Sequence, residues 1–204
     1  MSTAQPLGPH SAFFYGTLMA PQVLSRVCHG SHPSHNLNTF TVQPALLHAH
    51  RRHRVKNADY PAILPTFNPT DSVRGTYVTG LTDGDLWRLD IFEGSEYERR
   101  KVRCQLISED GNEHGEEKEC QTYIWISPKE ELEEREWDFE EFKREKMQFW
   151  VGAEREDYAG RPSILEVDEA VANAEKDGTR GRGFNGHISN ALKEEQEKSL
   201  KAAV

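Results

Sequence analysis

Two short stretches of the chain carry residue types that could do chemistry together. Residues 11–21 form an apolar run that breaks at Gly16 and turns toward a helical pattern at Pro21. A strand, a glycine turn and a helix start leave backbone N–H groups unpaired, and such donors can hold a carboxylate or an oxyanion. The second stretch ends in Glu93, a carboxylate between Phe92 and Gly94. The two stretches could supply anion-binding donors and a general base.

Glu93 is a candidate general base because of its predicted position at the end of a helix. Thr82 is a plausible N-cap, with Asp85 three residues later, and Gly94 closes the helix. The predicted buried stripe of this helix is Leu86, Leu89 and Phe92. A helix C-terminus and apolar neighbours both raise the pKa of a carboxyl group, toward the value that a general base needs near pH 7. The local pattern leaves open an ordinary exposed Glu at a helix end.

The glycine loop has an equally plain alternative. The run Ala12–Tyr15 suits a buried strand, and Gly16 permits either a dihedral or a close approach that a side chain would block. Pro21 suits the first turn of a following helix. Taken alone, this pattern is also typical of a buried strand with a tight turn.

The remaining pattern predicts the elements that must position these residues. Strands are predicted over residues 40–47, 73–81, 97–107 and 120–126. The last two suit an antiparallel hairpin that brings Cys104 near Cys120, with core packing favoured over a disulfide. Residues 59–65 form a short apolar segment bounded by Pro61 and Pro65, which indicates a sheet edge or a pocket wall.

Composition excludes several classes of protein. No apolar run approaches the roughly 18 residues of a membrane span and no signal peptide is evident, so we expect a soluble, cytoplasmic protein without a membrane partner. Three cysteines without a metal-type pair indicate reduced thiols. The net charge is −9, and residues 109–145 alone hold 15 acidic and 5 basic side chains. This balance disfavours nucleic-acid binding, and the short arginine-glycine run at 178–186 does not reverse it.

Six of the nine histidines lie between positions 29 and 53, which invites a metal hypothesis. Glycine and proline interrupt this segment, and it has neither a regular two-pair spacing nor a helix with His at i and i+4. The pattern favours a polar loop followed by a strand that carries His and Arg on its solvent side, so we predict no metal site.

Three stretches in this order resemble one family. Phe14-Tyr15-Gly16-Thr17-Leu18, the segment from Leu89 to Arg99 and Thr122-Tyr123-Ile124-Trp125 resemble the gamma-glutamylcyclotransferase superfamily. The acidic segment Glu136–Lys143 and the pair Tyr60-Pro61 are most similar to its AIG2-like branch. The resemblance covers about residues 13–150.

The resemblance implies an α+β fold, a small mixed β-barrel flanked by helices, with a helical or flexible C-terminal extension. The expected organisation is a disordered leader over residues 1–10, the gamma-glutamylcyclotransferase-like domain over 11–150 and a partly helical extension over 151–204. Within the extension, the pattern predicts a short helix at 167–175, a flexible linker at 178–186 and a polar helix at 189–203.

The resemblance also implies a reaction. The α-amine of a small γ-glutamyl substrate would attack its own γ-carbonyl, releasing 5-oxoproline and an amino acid or amine without a metal or organic cofactor. The family's base maps onto Glu93, and Tyr60, Tyr97 and Tyr123 are candidate pocket residues that could equally be packing. The substrate-holding loop maps onto Tyr15, Gly16, Thr17, Leu18, Met19 and Ala20.

Two other functions remain open at this point. The same fold could serve a γ-glutamyl acyl-transfer enzyme of a biosynthetic pathway, or a binding module that does not turn its ligand over. Ala20-Pro21 replaces the glycine-rich continuation found in other branches, which leaves the leaving group undetermined. Retention of both the loop and Glu93 favours catalysis.

Overall fold

The described strands include a closed five-stranded β-barrel. The computed structural model describes residues 8–30, 40–108, 115–147 and 164–176 of the 204-residue chain. Its strands are β1 (Gly8–Phe14), β2 (Thr41–His48), β3 (His50–Arg54), β4 (Pro61–Pro65), β5 (Ser72–Gly80), β6 (Tyr97–Leu106) and β7 (Glu117–Trp125). The barrel order is β1-β5-β2-β6-β7, while β3 and β4 pair separately as a two-stranded sheet.

The barrel is mixed because one of its strand pairs is parallel. β1 pairs with β7 in parallel through Ala12 and Gln121, and the other neighbouring pairs are antiparallel. The strands predicted from residues 40, 73, 97 and 120 onward are all present, which confirms the expected α+β barrel. One cluster of buried residues forms a hydrophobic core: Phe13, Tyr15, Ala45, Leu47, Ile63, Val73, Tyr77, Cys104, Cys120 and Ile124.

Four helices accompany these strands in the described residues: α1 (Pro21–His29), α2 (Asp83–Glu93), α3 (Phe139–Glu145) and α4 (Ile164–Lys176). Short 3₁₀ turns occupy Thr17–Met19, Gly94–Glu96 and Lys129–Glu131. Pro21 begins α1, and α4 contains the helix predicted at 167–175, so both predictions are confirmed. None of the described helices combines the length and apolarity needed to span a bilayer.

The α2 helix begins and ends where the sequence predicts. Thr82 Oγ1 accepts a hydrogen bond from the backbone N–H of Asp85 at 3.1 Å, and Asp85 Oδ2 accepts from the backbone N–H of Thr82 at 2.8 Å, which completes a capping box. Gly94, at φ 71°, ends the helix in a region that favours glycine. The predicted stripe of Leu86, Leu89 and Phe92 is buried.

The β6–β7 hairpin places two thiols side by side inside the barrel. The register pairs Val102 with Cys120 and Cys104 with Lys118, so the two cysteines are diagonal neighbours. Their sulfur atoms are 3.6 Å apart and both side chains are buried as free thiols. Core packing without a disulfide was the favoured prediction, and it is confirmed.

The chain's first strand begins earlier than expected. β1 starts at Gly8, so the leader predicted over residues 1–10 is wrong for Gly8, Pro9 and His10. His10 exchanges backbone hydrogen bonds with Leu81 at 3.0 and 3.2 Å. Gly8 runs so close to the same backbone that a Cβ would lie 2.1 Å from the Leu81 carbonyl oxygen. Backbone pairing thus orders a segment whose composition alone indicates a loop; residues 1–7 lie outside the described part.

Packing divides the chain into two units, residues 1–167 and 168–204, and the division falls inside α4. The first unit holds the barrel with β3, β4 and helices α1 to α3, and the described part of the second is the remainder of α4. The domain boundary expected at residue 150 therefore stays a prediction. The predicted linker at 178–186 and helix at 189–203 lie outside the described residues.

Candidate active site

A pocket opens where the segment after β1 meets the end of α2. Its volume is about 280 Å³, part of which is open to solvent. The chain brings together residues from four places in the sequence: Phe14, Tyr15, Gly16, Thr17, Leu18, Pro61, Glu93 and Tyr123. Of the seven residues predicted to form the base and the substrate-holding loop, five are in this lining, namely Tyr15 to Leu18 and Glu93.

Glu93 is the last residue of α2, and it is buried at the pocket. The residue is only 7% exposed, although Phe92 and Leu89 on the same helix are the residues that drive the helix into the core. The predicted position of Glu93 at a helix end is confirmed, and its burial excludes the alternative of an ordinary exposed Glu. A carboxyl group there lies among the residues of the pocket wall, where it can exchange a proton with a bound ligand.

The loop after β1 presents fewer backbone donors than the sequence suggests. The N–H of Met19 donates to the Gly16 carbonyl at 3.0 Å, and the N–H of Ala20 donates to the Thr17 carbonyl at 3.1 Å. These bonds close the 3₁₀ turn, and neither Met19 nor Ala20 is among the residues that line the pocket. The donors that remain candidates for a ligand are the N–H groups of Gly16, Thr17 and Leu18.

Gly16 is required by a close approach. Its φ is −130°, so the backbone is not in the left-handed region that favours glycine. A Cβ on this residue would lie 2.8 Å from Pro61 Cγ and 2.9 Å from Pro61 Cδ, which is closer than real Cβ contacts. The sequence left open whether Gly16 serves a special dihedral angle or a close approach, and the structure shows the close approach. Pro61, from the apolar segment 59–65, lies on the pocket wall.

Tyr123 joins the pocket to a charged pair on its far side. Its hydroxyl donates to Asp90 Oδ1 at 2.8 Å, and Arg99 Nε lies 2.9 Å from the same oxygen. Burial raises the pKa of Asp90, while the charge of Arg99 and the Tyr123 hydrogen bond oppose that rise. Burial, with the negative charges of Asp90 and Glu93, holds the pKa of Tyr123 well above its usual value. Tyr123 therefore stays a neutral hydrogen-bonding group.

The other two candidate tyrosines support the site from outside the lining. The Tyr97 hydroxyl donates to the Pro61 carbonyl at 3.0 Å, and its ring packs edge-on against Trp125 with centroids 5.2 Å apart. The Tyr60 hydroxyl donates to Glu96 Oε2 at 3.4 Å. Neither ring is among the pocket-lining residues, so the structure places both in the surrounding framework.

The histidine-rich segment makes ordinary hydrogen bonds where it is described. His48 Nε2 lies 2.9 Å from Gln105 Oε1, His50 Nδ1 lies 2.8 Å from the His48 carbonyl and His53 Nδ1 lies 3.0 Å from the Glu133 carbonyl. Within the described ranges, no group of three or more His, Cys, Asp or Glu side chains is arranged to hold a metal ion. His32 and His35 lie outside those ranges.

The matched part of the chain identifies its family. The model of the family described as gamma-glutamyl cyclotransferase, AIG2-like, matches residues 12–144. The chain belongs to this family. All the pocket-lining residues of the AIG2-like domain fall inside the match, whereas α4 lies beyond it.

Relatives of this AIG2-like chain occur in Arabidopsis thaliana. It is 33% identical to Protein AIG2 B over 144 residues, which cover 71% of this chain and 76% of that protein. It is 31% identical to AIG2-like protein B over 196 residues, which cover 96% of this chain and 95% of that protein. A solution structure of an Arabidopsis thaliana protein matches with a TM-score of 0.48 and 31% identity, covering 70% of this chain and 85% of that one.

Sequence reasoning did not name Phe14, Asp90 or Arg99 as residues of this AIG2-like site, and it included Pro61 only within the segment predicted as a sheet edge or a pocket wall. Phe14 and Pro61 line the pocket, and Asp90 and Arg99 hold Tyr123. Asp90 could have been found, because it stands three residues before Glu93 and so shares a helix face with it. Arg99 had no such signal, since strand alternation does not say which helix a strand faces.

Proposed function

We propose that this chain is a γ-glutamyl cyclotransferase, which converts a small γ-glutamyl compound into 5-oxoproline and an amino acid or amine. The observation that carries the proposal is the presence of a buried carboxylate, Glu93, in the same pocket as the loop of Gly16, Thr17 and Leu18. A base and a set of backbone donors are the two groups that this reaction needs. Membership of the gamma-glutamyl cyclotransferase, AIG2-like family supports it.

The proposed first step is activation of the substrate amine. An α-ammonium group is protonated near pH 7 and cannot attack until a base removes a proton. Glu93 takes that proton, and the freed nitrogen attacks the γ-carbonyl carbon to close a five-membered ring. The carbonyl oxygen becomes an oxyanion, which the N–H donors of the loop stabilise. Binding in the pocket holds the amine and the carbonyl in attack geometry.

The second step is expulsion of the leaving nitrogen. The bond between the γ-carbon and that nitrogen breaks as the oxyanion collapses to the lactam carbonyl. Over the whole reaction two protons move from the α-nitrogen to the leaving nitrogen, which departs as an ammonium group. Glu93 can relay both in turn, so one carboxyl group serves as base and as acid.

The test is release of 5-oxoproline from a panel of γ-glutamyl amino acids, γ-glutamyl amines and glutathione. Wild type is expected to release 5-oxoproline from at least one member. Glu93→Gln is expected to fold and to lose about 10²- to 10⁴-fold in turnover, because the amide cannot accept the proton. Glu98→Gln is a matched control, since Glu98 is an exposed residue of β6 that pairs with Arg100, and it should keep its turnover.

The same panel separates the alternatives. Near-normal turnover by Glu93→Gln would remove this carboxyl group from the mechanism. Amine release without 5-oxoproline, with the γ-glutamyl group passed to an added acceptor, would support the biosynthetic acyl-transfer function instead. No release by wild type, together with a rise in melting temperature on adding 5-oxoproline, would support a binding module.

A further inference from the structure

Arg52, on β3, is a largely buried cation that contacts the pocket residue Tyr15 and that the proposed mechanism does not use. Its side chain is only 10% exposed. Nη1 donates to the backbone carbonyl of Tyr15 at 2.9 Å and to that of Arg74 at 3.3 Å, and Nη2 donates to Glu136 Oε1 at 2.8 Å. The guanidinium thereby connects the start of the glycine loop to the segment before α3.

The contact with Tyr15 has a consequence for the next peptide N–H. A trans peptide group is planar, so its C=O and its N–H point in opposite directions. The described chain contains no cis peptide bonds. Because Arg52 holds the Tyr15 carbonyl, the N–H of Gly16 must point away from Arg52. Gly16 lines the pocket and Arg52 does not.

We propose that Arg52 is a positioning residue that aims the Gly16 N–H into the pocket as a donor to the substrate. A hydrogen bond from a charged group to the carbonyl also polarises the whole peptide, which makes its N–H a stronger donor. This inference rests on the proposed function for its catalytic consequence. The orientation of the Gly16 amide can be tested without it.

The setting of Arg52 suits this role better than a contribution to stability. Arg52 Nε is buried and has no acceptor among the described residues, which is an unfavourable state for a donor. Its carboxylate partner Glu136 is 65% exposed, so the ion pair is screened on one side. The guanidinium also lies 5.7 Å from the centre of the Trp137 ring. These contacts hold the cation in one place rather than neutralise it fully.

Arg51 provides a matched control. It is the neighbouring residue on the same strand, so its side chain points to the opposite face. There it is 60% exposed and pairs with Asp71 at 3.3 Å. Arg51→Met removes the same charge and a similar length of side chain without touching the loop. Its turnover should stay within about twofold of wild type.

The kinetic test compares Arg52→Met, Arg52→Lys and Arg51→Met for 5-oxoproline release. Arg52→Met should lower kcat/KM by about tenfold or more, but by less than the roughly 10²- to 10³-fold that follows outright removal of an oxyanion donor. Arg52→Lys should fall between wild type and Arg52→Met, because an ammonium keeps the charge but not the planar fork. Equal turnover of Arg52→Met and Arg51→Met would overturn the proposal.

The second readout is the Gly16 amide itself, followed by ¹H–¹⁵N NMR. In Arg52→Met, and to a lesser degree in Arg52→Lys, its proton resonance should move upfield because the peptide is no longer polarised, while Arg51→Met leaves it in place. Should Arg52→Met not fold, Arg52→Lys provides the same comparison. An unmoved Gly16 resonance would overturn the proposal even if turnover fell. If wild type turns over no substrate, the proposed function fails, and the resonance still decides whether Arg52 positions this amide.

Discussion

At the residue scale, Glu93 and the loop donors divide the proposed chemistry between a proton carrier and a charge stabiliser. Glu93 lies at the end of a helix whose apolar face packs in the core. The donors belong to the backbone around Gly16, which an added side chain at Gly16 would displace. Glu93 belongs to α2 and the donors to the loop after β1, so the two groups lie in different elements. Single substitutions can therefore test them separately.

Gly16→Ala tests the close approach between the loop and Pro61. The new Cβ would lie 2.8 Å from Pro61 Cγ, so the loop or the proline must move and the donors move with it. We expect kcat/KM to fall by about 10²-fold, as when a site is displaced by about 1 Å. Gly84→Ala is the control, because its Cβ would meet its nearest atom, Thr82 Oγ1, at an ordinary 3.7 Å. Unchanged kinetics in Gly16→Ala would count against the loop as a substrate site.

Asp90 gives a prediction about pH. Its pKa is raised from 3.8 by burial, and Arg99 opposes this rise more than Tyr123 does. Arg99→Gln should therefore raise the pKa of Asp90 further, and Tyr123→Phe should raise it by less. A ¹³C NMR titration of the Asp90 carboxyl measures both. Arg100→Gln, which removes an exposed arginine that pairs with Glu98, should leave the Asp90 titration where it is.

The sign of the effect on stability follows from the direction of that pKa. A carboxyl group with a native pKa above its unfolded value binds more protons in the native state. Its contribution to the free energy of unfolding is therefore present below the unfolded pKa of 3.8 and falls as pH rises toward the native pKa. Arg99→Gln should extend that fall to higher pH, as urea unfolding at a series of pH values would show. If the free energy of unfolding of Arg99→Gln stopped falling at a lower pH than that of wild type, this assignment would be contradicted.

At the element scale, α2 is the helix that delivers both Asp90 and Glu93. Its first turn is fastened by the capping box, and its last turn by the Gly94 N–H, which donates to the Asp90 carbonyl. The apolar stripe sets which way the helix faces. Its end residues are thereby presented to β6 and β7, where Arg99 and Tyr123 lie.

Thr82→Ala tests the start of this helix. Loss of the N-cap oxygen should lower the free energy of unfolding by about 1 kcal/mol, because the N–H of Asp85 loses its acceptor. Glu93 is at the other end of an 11-residue helix, about 16 Å away, so kcat should change little. Urea unfolding measures the first effect and the 5-oxoproline assay the second. Thr82→Ser, which keeps the hydroxyl, should restore stability; if it does not, the cap is not the cause.

At the scale of the whole molecule, closure of the barrel assembles the site. The Tyr15 hydroxyl donates to the Tyr123 carbonyl at 2.7 Å, and Thr122 Oγ1 donates to the Phe13 carbonyl at 2.8 Å. These contacts join residues more than a hundred positions apart, at the parallel β1–β7 pair that closes the sheet. The loop and Tyr123 thus share a pocket only because the first and last strands of the barrel meet.

Different parts of the site were predictable to different degrees. The position of Glu93 could be predicted because capping signals and an apolar stripe are local patterns that locate both ends of a helix. Met19 and Ala20 were grouped with the loop because sequence cannot show which N–H groups a 3₁₀ turn consumes.

The sequence by itself determined the barrel strands that start near residues 40, 73, 97 and 120, the capped helix and the two stretches that could do chemistry, because these depend on neighbours within a few residues. It also carried the resemblance to the family, which the match over residues 12–144 bears out. The tertiary structure alone decided which groups meet: Pro61 against Gly16, Asp90 with Arg99 and Tyr123, and Arg52 on the Tyr15 carbonyl. Those contacts depend on strand register and barrel closure, which bring distant residues together and leave no periodic signal along the chain.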